Sequence, residues 1–452
     1  MKENKTLMQY FEWYLRPENK LWNKAIANAQ YLSAIGITDV WFPPAYKGAG
    51  GKYDVGYSAY DLYDLGEFDQ KGSIETKYGT KEEYINAIKK LHENGIRVYA
   101  DIVLNHKIGA DEPEIVYASE EEQTNRNVDT SLPKKITAWT VYNFKGRNNK
   151  YSDFKWNYNH FNGTDWDEGG RKNGVFRFSG KKWDKNVDAE NGNYDYLMGA
   201  DIDYNNPEVV EEIKKWGKWY VETTNIDGLR LDAVKHIKSG FMAEFIHEMR
   251  KIKKLDCVGE YWNRNLQSLE NYITKTNSSI PLFDVPLHYN FFNASNDPNY
   301  NMSQILEHTL VKENPCMAVT FVDNHDTQPG QALQSFVQGW FKSIAYSIIL
   351  LRNDGYPCVF YGDYYGIEHD HIEPVNDLKT LMLIRKEKSY GLQHDYFDHN
   401  NFIGWTQEGD DEHISSGLAV VISNAGDGYK RMYVGNQNVG ETYIDCLGNC
   451  KE

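Results

Sequence analysis

The sequence has little cysteine and no stretch that resembles a secretion signal. Its five cysteines cannot all pair, and none has His or Cys partners at the spacing of a zinc site. Free thiols in a reducing cytoplasm are therefore the simplest interpretation. The N-terminus lacks both the apolar stretch and the small-residue cleavage site of a signal peptide, so we predict a cytoplasmic protein. A signal removed ahead of this start would leave the same sequence, and a secreted origin stays open.

Long apolar runs and positive charge are also scarce. The most apolar window, Ile344 to Leu351, is far shorter than the roughly 20 residues that a membrane span needs. Lysine and arginine number 49 against 65 aspartates and glutamates, which gives a net charge of −16. Such a charge argues against nucleic acids and anionic membrane surfaces as partners. We expect a monomer that binds a neutral or cationic ligand, or metal ions that offset part of the acidity.

Short β-branched and aromatic runs alternate with helical patterns through most of the chain. Amphipathic stretches such as Lys81–Asn94 and Pro207–Glu222 carry apolar residues at helical spacing. Strands that alternate with helices pair in parallel through right-handed crossovers, and eight of them favour a closed (β/α)8 TIM barrel over an open sheet. The predicted strands are Leu7–Glu12, Asp39–Phe42, Arg97–Val103, Gly228–Asp232, Cys257–Tyr261, Leu282–Val285, Ala318–Val322 and Cys358–Tyr361.

Two regions interrupt this alternation. The segment 105–206 is rich in Asn, Asp, Gly, Tyr and Trp, and it is too long for one crossover, so we predict an irregular β domain inserted after strand 3. Near the C-terminus, strand patterns punctuated by glycine occur at Leu418–Ser423, Lys430–Val434 and Thr442–Ile444. The predicted organisation is a barrel over 1–104 and 207–393, an inserted β domain over 105–206, and a short all-β domain over 394–452.

Acidic side chains follow three of the predicted strands. Asp232, Glu260 and Asp326 lie where strands 4, 5 and 7 end, and in a barrel these ends surround the active site. Arg230 is two residues before Asp232, so both point to one side of strand 4. Two carboxyl groups about 5–5.5 Å apart can cleave a glycosidic bond with retention, one as nucleophile and one as proton donor. Taken singly, each acid is more simply a solvated or helix-capping residue, and only their co-occurrence favours catalysis.

The sequence strings around these acids resemble the four signature regions of the α-amylase family of glycoside hydrolases. The resemblance runs collinearly from residue 7 to about 449. Within the family, the sequence is most similar to bacterial liquefying-type and cytoplasmic α-amylases. It includes MQYFEWY (8–14) and DVGYSAYDLYDLGEFDQKG (54–72). The four signature strings are DIVLNH (101–106), GLRLDAVKH (228–236), GEYW (259–262) and FVDNHD (321–326).

The resemblance implies roles for individual residues. Asp232 matches the nucleophile, Glu260 the general acid/base, and Asp326 the third acid, which holds sugar hydroxyls at subsite −1. Arg230 would position the nucleophile, and Tyr57 would form the aromatic platform under the same sugar. The further sugar contacts that the resemblance implies are His106, Lys235, His236, Trp262 and His325.

A calcium site is the second implication of the resemblance. Ca²⁺ takes oxygen ligands from carboxylates, amides and backbone carbonyls. The composition of 184–205 taken alone is more typical of turns. The ligands that the family match implies are Asn105, Asp195, Asp201 and the carbonyl of His236, with Asp184 and Asp203 in a neighbouring cation cluster.

Two departures from the family pattern bear on these sites. Asn162 and Asn205 stand where relatives with a calcium–sodium–calcium cluster commonly carry Asp, so we expect one Ca²⁺ and weak additional Ca²⁺ or Na⁺ sites. The family's closing domain also runs longer, so 394–452 is expected to be either a truncated or a naturally shortened version of it.

The predicted function is endo-hydrolysis of α-1,4-glucosidic bonds in starch, glycogen and maltodextrins by a retaining double displacement. A transglycosylase or a hydrolase of short oligosaccharides would use the same three acids. A non-catalytic glucan-binding protein on the same barrel is disfavoured because all three acids are present. A metal-dependent hydrolase is disfavoured because His106, His236 and His325 lack a ligand spacing such as HExxH.

Overall fold

The computed structural model describes residues 4–449, and its centre is a closed barrel of eight parallel strands. Each strand pairs with its neighbours in chain order, and the first pairs with both the second and the eighth. The predicted TIM barrel is therefore confirmed. Barrel strands 1 to 8 are Leu7–Gln9, Asp39–Phe42, Arg97–Ile102, Gly228–Leu231, Asp256–Gly259, Leu282–Phe283, Ala318–Phe321 and Tyr356–Phe360.

Helices follow the strands, and several of them start at side-chain caps. Thr80 and Glu83 form a reciprocal capping box at the start of the second helix. At the start of the third helix, which begins with Pro207, the Asn206 side chain accepts from the backbone N–H of Glu208. These two caps fix where their helices begin. The helices are Leu21–Ala34, Lys81–Glu93, Pro207–Thr224, Ser239–Ile252, Leu266–Lys275, Val285–Asn296, Leu310–Glu313, Gly339–Leu350, Tyr361–Tyr365 and Leu378–Lys388.

An antiparallel sheet of seven strands lies between barrel strand 3 and the helix that starts at Pro207. Its first and last strands pair with each other, with Asp201 opposite His106. Both ends of the insertion are thereby held beside the C-terminal end of strand 3, next to the mouth of the barrel. The strands are His106–Lys107, Glu112–Glu122, Asn125–Asp129, Lys134–Val141, Phe161–Asp167, Lys172–Phe178 and Ala200–Ile202.

The C-terminal part holds a three-stranded antiparallel sheet of Gln393–Tyr396, Phe402–Gln407 and Leu418–Ser423. The predicted strand at Leu418–Ser423 is confirmed. The strands predicted at Lys430–Val434 and Thr442–Ile444 are wrong, since neither segment pairs in a sheet. Their large side chains remain exposed, so they lack the half-buried face on which a strand depends.

Four cysteines, Cys257, Cys316, Cys358 and Cys446, are free thiols, while Cys450 lies outside the described residues. Within residues 4–449, no helix is long and apolar enough to cross a membrane.

Candidate active site

The acids predicted at strand ends lie at the mouth of the barrel. The backbone N–H of Asp232 donates to the Ile102 carbonyl at 2.9 Å, and that of Glu260 donates to the Leu231 carbonyl at 2.9 Å. The interstrand hydrogen bonding thus extends to both acids, and this fixes their backbones. Asp326 lies five residues beyond strand 7, where its N–H donates to the Asn324 side chain at 2.9 Å.

One buried guanidinium joins two of the three acids. Arg230 is fully buried, and its Nη1 lies 2.6 Å from Asp232 Oδ1 and 2.9 Å from Asp101 Oδ1. Its Nη2 forms an ion pair with Glu260 Oε2 at 2.8 Å. The backbone N–H of Ala233 donates to the same Glu260 oxygen at 3.0 Å. Asp232 and Glu260 are therefore held around a single cation at adjacent strand ends.

A stack of parallel rings lies beside the acids. The rings of Tyr57 and His325 are 4.9 Å apart and 7° from parallel, and the ring of Trp13 is 5.9 Å from Tyr57 at 1°. Tyr57 donates its hydroxyl to Asp101 Oδ2 at 2.7 Å, which anchors the stack to the Arg230 cluster. His325 Nε2 is 3.3 Å from Asp326 Oδ2. The stack thus connects the third acid to the other two.

Burial dominates the electrostatics of the acids. It raises the pKa of Asp232 to about 6, and the pKa of Glu260 and Asp326 is raised as well, chiefly by burial. Arg230 opposes the shift in all three. Asp101 adds a fourth carboxyl to the one guanidinium, and like charges disfavour the ionisation of all four acids at once. An ionised acid and a protonated acid can therefore coexist here, as a retaining glycosidase requires.

Burial favours the neutral form of the histidines in this region. Burial lowers the pKa of His106 to about 4 and that of His236 to about 3, and it lowers the pKa of His325 well below the usual range. His106 Nε2 lies 2.9 Å from the Tyr57 carbonyl oxygen. His236 Nδ1 lies 2.7 Å from the Tyr194 carbonyl oxygen. A neutral ring has one N–H, and in His106 and His236 it faces these carbonyls, so His236 Nε2 can accept from a sugar hydroxyl without adding charge to the acid cluster.

The other two predicted sugar contacts lie farther along the same loops. Lys235 precedes His236 on the turn Val234–His236, and its ammonium donates to Glu190 Oε2 at 2.8 Å. Trp262 is half-buried, and its ring packs against the rings of His288, Tyr289 and Phe321 at 5.8–6.2 Å. Trp262 is thus partly a packing residue, and only its exposed part can face a ligand.

The predicted calcium ligands come together where the inserted sheet meets the barrel. The Asn105 amide nitrogen lies 3.3 Å from the Asp195 and His236 carbonyl oxygens and 3.5 Å from Asp201 Oδ1. The Asn162 amide donates to Asp195 Oδ2 at 3.3 Å and to Asp201 Oδ2 at 3.1 Å. Among residues 4–449, no three His, Cys, Asp or Glu side chains form a metal site by themselves. Any cation here would rely on amide and backbone oxygens as well.

Lysines accompany the two outer acids. Asp203 accepts from Lys181 at 2.6 Å, and Asp184 Oδ2 lies 3.8 Å from the Lys238 ammonium, which donates to Asn205 Oδ1 at 2.9 Å. Asp184 and Asp203, the two outer acids, therefore already have cationic neighbours. Burial raises the pKa of Asp195 to about 8 and that of Asp201 well above its usual range.

Sequence reasoning missed Asp101, Trp13 and Gln9 as members of this cluster. Asp101 opens the DIVLNH string, and a charged residue between the apolar neighbours Ala100 and Ile102 was the available signal. Gln9 Nε2 lies 3.0 Å from His325 Nδ1, and it is a polar residue inside strand 1. Trp13 follows strand 1 in the MQYFEWY string, but its ring stacking depends on residues far along the chain.

Comparisons with known proteins agree with this geometry. A family model described as the alpha-amylase catalytic domain matches residues 22–416. The chain is 53% identical to an alpha-amylase of Geobacillus stearothermophilus over 452 residues, which cover 99% of this chain and 82% of the relative. It is 43% identical to a cytoplasmic alpha-amylase of Escherichia coli over 470 residues, which cover 99% of this chain and 94% of the relative.

Solved structures show the same fold. The alpha-amylase of Geobacillus thermoleovorans complexed with acarbose superposes with a TM-score of 0.61 at 18% identity, covering 93% of this chain and 86% of that one. Together with the family match and the two relatives that span nearly the whole chain, this barrel with acids at its strand ends shows that the chain belongs to the alpha-amylase family of glycoside hydrolases.

Proposed function

We propose that this protein is an endo-acting α-amylase that hydrolyses internal α-1,4-glucosidic bonds of starch, glycogen and maltodextrins with retention of configuration. The observation that carries the proposal is the Arg230 guanidinium, which contacts Asp232 at 2.6 Å and Glu260 at 2.8 Å at the open end of the barrel. Two carboxyls held around one cation suit nucleophilic attack and proton donation at a single glycosidic bond.

In the first half-reaction, Asp232 attacks the anomeric carbon and forms a β-glycosyl ester, while Glu260 gives its proton to the departing glycosidic oxygen. In the second, Glu260 takes a proton from water, the water oxygen attacks the anomeric carbon, and Asp232 leaves as a carboxylate. Arg230 stabilises Asp232 as a carboxylate before it attacks and again as it leaves. The raised pKa of Glu260, which is due chiefly to burial, suits a group that must begin each cycle protonated.

Substrate contacts follow from the same cluster. Asp326 and the neutral rings of His106, His236 and His325 would bind hydroxyls of the distorted sugar, and Tyr57 would support its apolar face. Lys235 and Trp262 would contact sugars farther along the cleft. The parallel packing of Tyr57 on His325 supports a rigid platform, because rigidly held groups position a substrate best.

The pH profile should respond to Arg230. This cation lowers the pKa of both Asp232 and Glu260 against the effect of burial. In Arg230→Lys, the forked contact to two acids is lost, so both pKa values should rise. Activity needs Asp232 ionised and Glu260 protonated, so both limbs of the kcat/KM profile should move to higher pH, as measured on a chromogenic maltooligosaccharide. A profile that only loses height would contradict the electrostatic role.

Digestion of end-blocked maltoheptaose tests the endo mode. An endo-acting enzyme cuts the blocked and unblocked substrates at comparable rates, whereas an exo-acting enzyme leaves the blocked one intact. A transglycosylase would in addition yield products longer than heptaose. We expect cleavage of the blocked substrate to short oligosaccharides with the α configuration at the new reducing end, as measured by chromatography and NMR. Intact blocked substrate would refute the endo assignment.

We further propose that one Ca²⁺ binds Asn105, Asp195, Asp201 and the carbonyl of His236. A neutral His106 that donates from Nε2 to the Tyr57 carbonyl has a bare Nδ1, and this atom faces the Asn105 amide oxygen at 3.1 Å. Turning the Asn105 amide by a half turn exchanges its nitrogen and oxygen. The nitrogen would then donate to His106 Nδ1, and the oxygen would lie among the Asp195 and His236 carbonyl oxygens and Asp201 Oδ1. Four converging oxygens favour a cation between them. When bound, the ion would supply charge neutralisation between the inserted sheet and the barrel.

Chelation should therefore destabilise the protein. A ligand that binds only the folded state adds stability in proportion to the logarithm of its concentration over its Kd, about 4 kcal/mol at 1,000 times Kd. We expect a strong chelator to lower the melting temperature by several degrees and added calcium to restore it, with one calcium per chain by elemental analysis. Asp201→Asn should remove most of this response, whereas Asp203→Asn, at an outer acid, should retain it.

The proposed organisation is a barrel over 1–104 and 207–393, an inserted calcium-binding domain over 105–206, and a C-terminal β domain over 394–452. We propose that the enzyme acts as a monomer in the cytoplasm on α-glucans. Its similarity to a cytoplasmic alpha-amylase supports this location.

A further inference from the structure

A buried glutamine contacts the histidine beside the third acid. Gln9 ends barrel strand 1, His325 follows strand 7, and each is 1% exposed. Gln9 Nε2 lies 3.0 Å from His325 Nδ1 and 3.3 Å from the Phe11 carbonyl oxygen. The proposed mechanism uses His325 as a sugar contact and gives Gln9 no role. A buried polar contact at this position can determine which nitrogen of the ring carries the proton.

The Phe11 carbonyl determines which way the Gln9 amide faces. A carbonyl oxygen can only accept, so the amide nitrogen must point towards it, and the same nitrogen is the atom that reaches His325 Nδ1. The opposite orientation would place two acceptor oxygens against each other. Because Nδ1 receives an N–H from Gln9, it must be the unprotonated nitrogen. A neutral imidazole has one N–H, which therefore lies on Nε2.

The other edge of the ring favours the same tautomer. His325 Nε2 lies 3.3 Å from Asp326 Oδ2, which is an acceptor when ionised. A bare Nε2 would direct its lone pair at this carboxylate. Burial, together with the charge of Arg230, holds the pKa of His325 well below its usual range, so the ring does not carry a second proton. Among residues 4–449, Nε2 has no partner at hydrogen-bond geometry, so its N–H remains available to a sugar hydroxyl.

Aromatic neighbours hold the plane of the ring. The Tyr57 ring lies 4.9 Å from His325 and 7° from parallel, and the rings of Phe11 and Trp41 are 5.0 and 5.8 Å away. Packing of this kind is indifferent to which ring nitrogen carries hydrogen. The hydrogen bond from Gln9 supplies that selection, and it also fixes which edge of the ring faces strand 1.

We propose that Gln9 is a positioning residue that keeps the proton of His325 on Nε2, so that this atom presents a hydrogen-bond donor to Asp326 and to the sugar at the cleavage point. A donor that is fixed before the substrate arrives needs no rearrangement as the transition state forms. The proposal rests on the proposed α-amylase function, because that function supplies the sugar.

Nitrogen-15 NMR of the histidine rings tests the position of the proton. The chain has 13 histidines, and the signals of His325 are those that His325→Asn removes. In the unmodified chain we expect the chemical shift of an unprotonated nitrogen for Nδ1 and of a protonated one for Nε2. Gln9→Glu replaces the amide by a group of the same shape. At alkaline pH the new carboxylate can only accept, so the proton should move to Nδ1.

Kinetics test whether the tautomer matters for catalysis. On a short chromogenic maltooligosaccharide, Gln9→Glu should lower kcat by about tenfold to a hundredfold, the effect of one hydrogen bond to a charged group. KM should change little, because the donor acts mainly on the distorted sugar of the transition state.

Gln407→Glu is the matched control. Gln407 is also fully buried, and its amide donates to the Leu351 carbonyl at 3.1 Å, in the C-terminal sheet. This variant introduces an equally buried carboxyl away from the barrel mouth. It should lower the melting temperature as Gln9→Glu does, but kcat and the His325 signals should stay unchanged.

A protonated Nδ1 in the unmodified chain would overturn the proposal, and this result does not depend on whether Gln9→Glu folds. Equal kinetic losses in the two variants, or a rise in KM alone, would also overturn it, since Gln9 would then be a packing residue. Failure of the proposed function would look different: the unmodified chain would release no reducing ends from soluble starch, while the ring signals would still locate the proton.

Discussion

Asp232→Asn is expected to lower kcat on soluble starch by on the order of 10⁴-fold or more. The amide has nearly the size of the carboxylate but cannot form the glycosyl ester, so the double displacement loses its first covalent step. Arg230 keeps its contacts to Asp101 and Glu260, and the barrel should therefore stay folded. The measurement is release of reducing ends, with the melting temperature recorded on the same sample.

The matched control is Asp227→Asn, which changes an acid just before the same barrel strand, at its other end. Asp227 contacts His92 and Lys253 there, so its loss should cost stability without affecting the chemistry. Full activity in Asp232→Asn, or equal losses in the two variants, would refute the assignment of the nucleophile.

Glu260→Gln is expected to reduce starch hydrolysis by about 10²–10⁴-fold, the usual contribution of a positioned proton donor. The defect should depend on the leaving group. An α-maltosyl fluoride needs no protonation to depart, so its ester with Asp232 should still form, while hydrolysis of that ester lacks its general base. The glycosyl-enzyme should therefore accumulate, and intact-protein mass spectrometry should detect a maltosyl adduct.

The adduct distinguishes catalysis from structure. A merely structural role for Glu260 would reduce activity on starch and on the fluoride alike and would leave no adduct. Glu244→Gln, on the outer helix Ser239–Ile252, serves as the control and should behave like the unmodified enzyme. The double variant Asp232→Asn, Glu260→Gln should give no adduct, because the nucleophile is absent.

The barrel was predictable because its signal is local. All eight strands are short apolar runs bounded by turns, and each observed strand overlaps its predicted range. The capped start at Pro207 was likewise readable from Asn206 and the proline. Where a strand end differs from its prediction, it does so by one to three residues, often because the last residues of the run, such as Glu12, turn into the loop.

The C-terminal strands failed because strand formation depends on a partner. Leu418–Ser423 pairs with Phe402–Gln407 and buries Leu418 and Ile422. The segments around Tyr433 and Ile444 have similar local composition but leave those side chains 45% and 83% exposed. Without a neighbouring strand or a core to cover, β-propensity alone does not make a strand.

In the site, as in the fold, features with a local sequence signal were predicted and features that depend on distant partners were missed. The acids were identified by their positions at strand ends, because the C-terminal ends of all barrel strands lie close together at one face of the barrel. The pairing of Arg230 with Asp101 was not readable, because Asp101 lies inside strand 3 and its partner lies 129 residues away. The ring stack of Trp13, Tyr57 and His325 joins three distant segments in the same way.

The neighbours Asn105 and His106 have a consequence for how the enzyme would fail under stress. One side chain faces the proposed ion site and the next holds the backbone of Tyr57, so a single peptide unit connects the two. Loss of the ion would therefore move Asn105, and that movement would pass directly through His106 to the Tyr57 platform. On warming in calcium-poor buffer, the enzyme should therefore lose activity at a lower temperature than that at which calorimetry detects global unfolding.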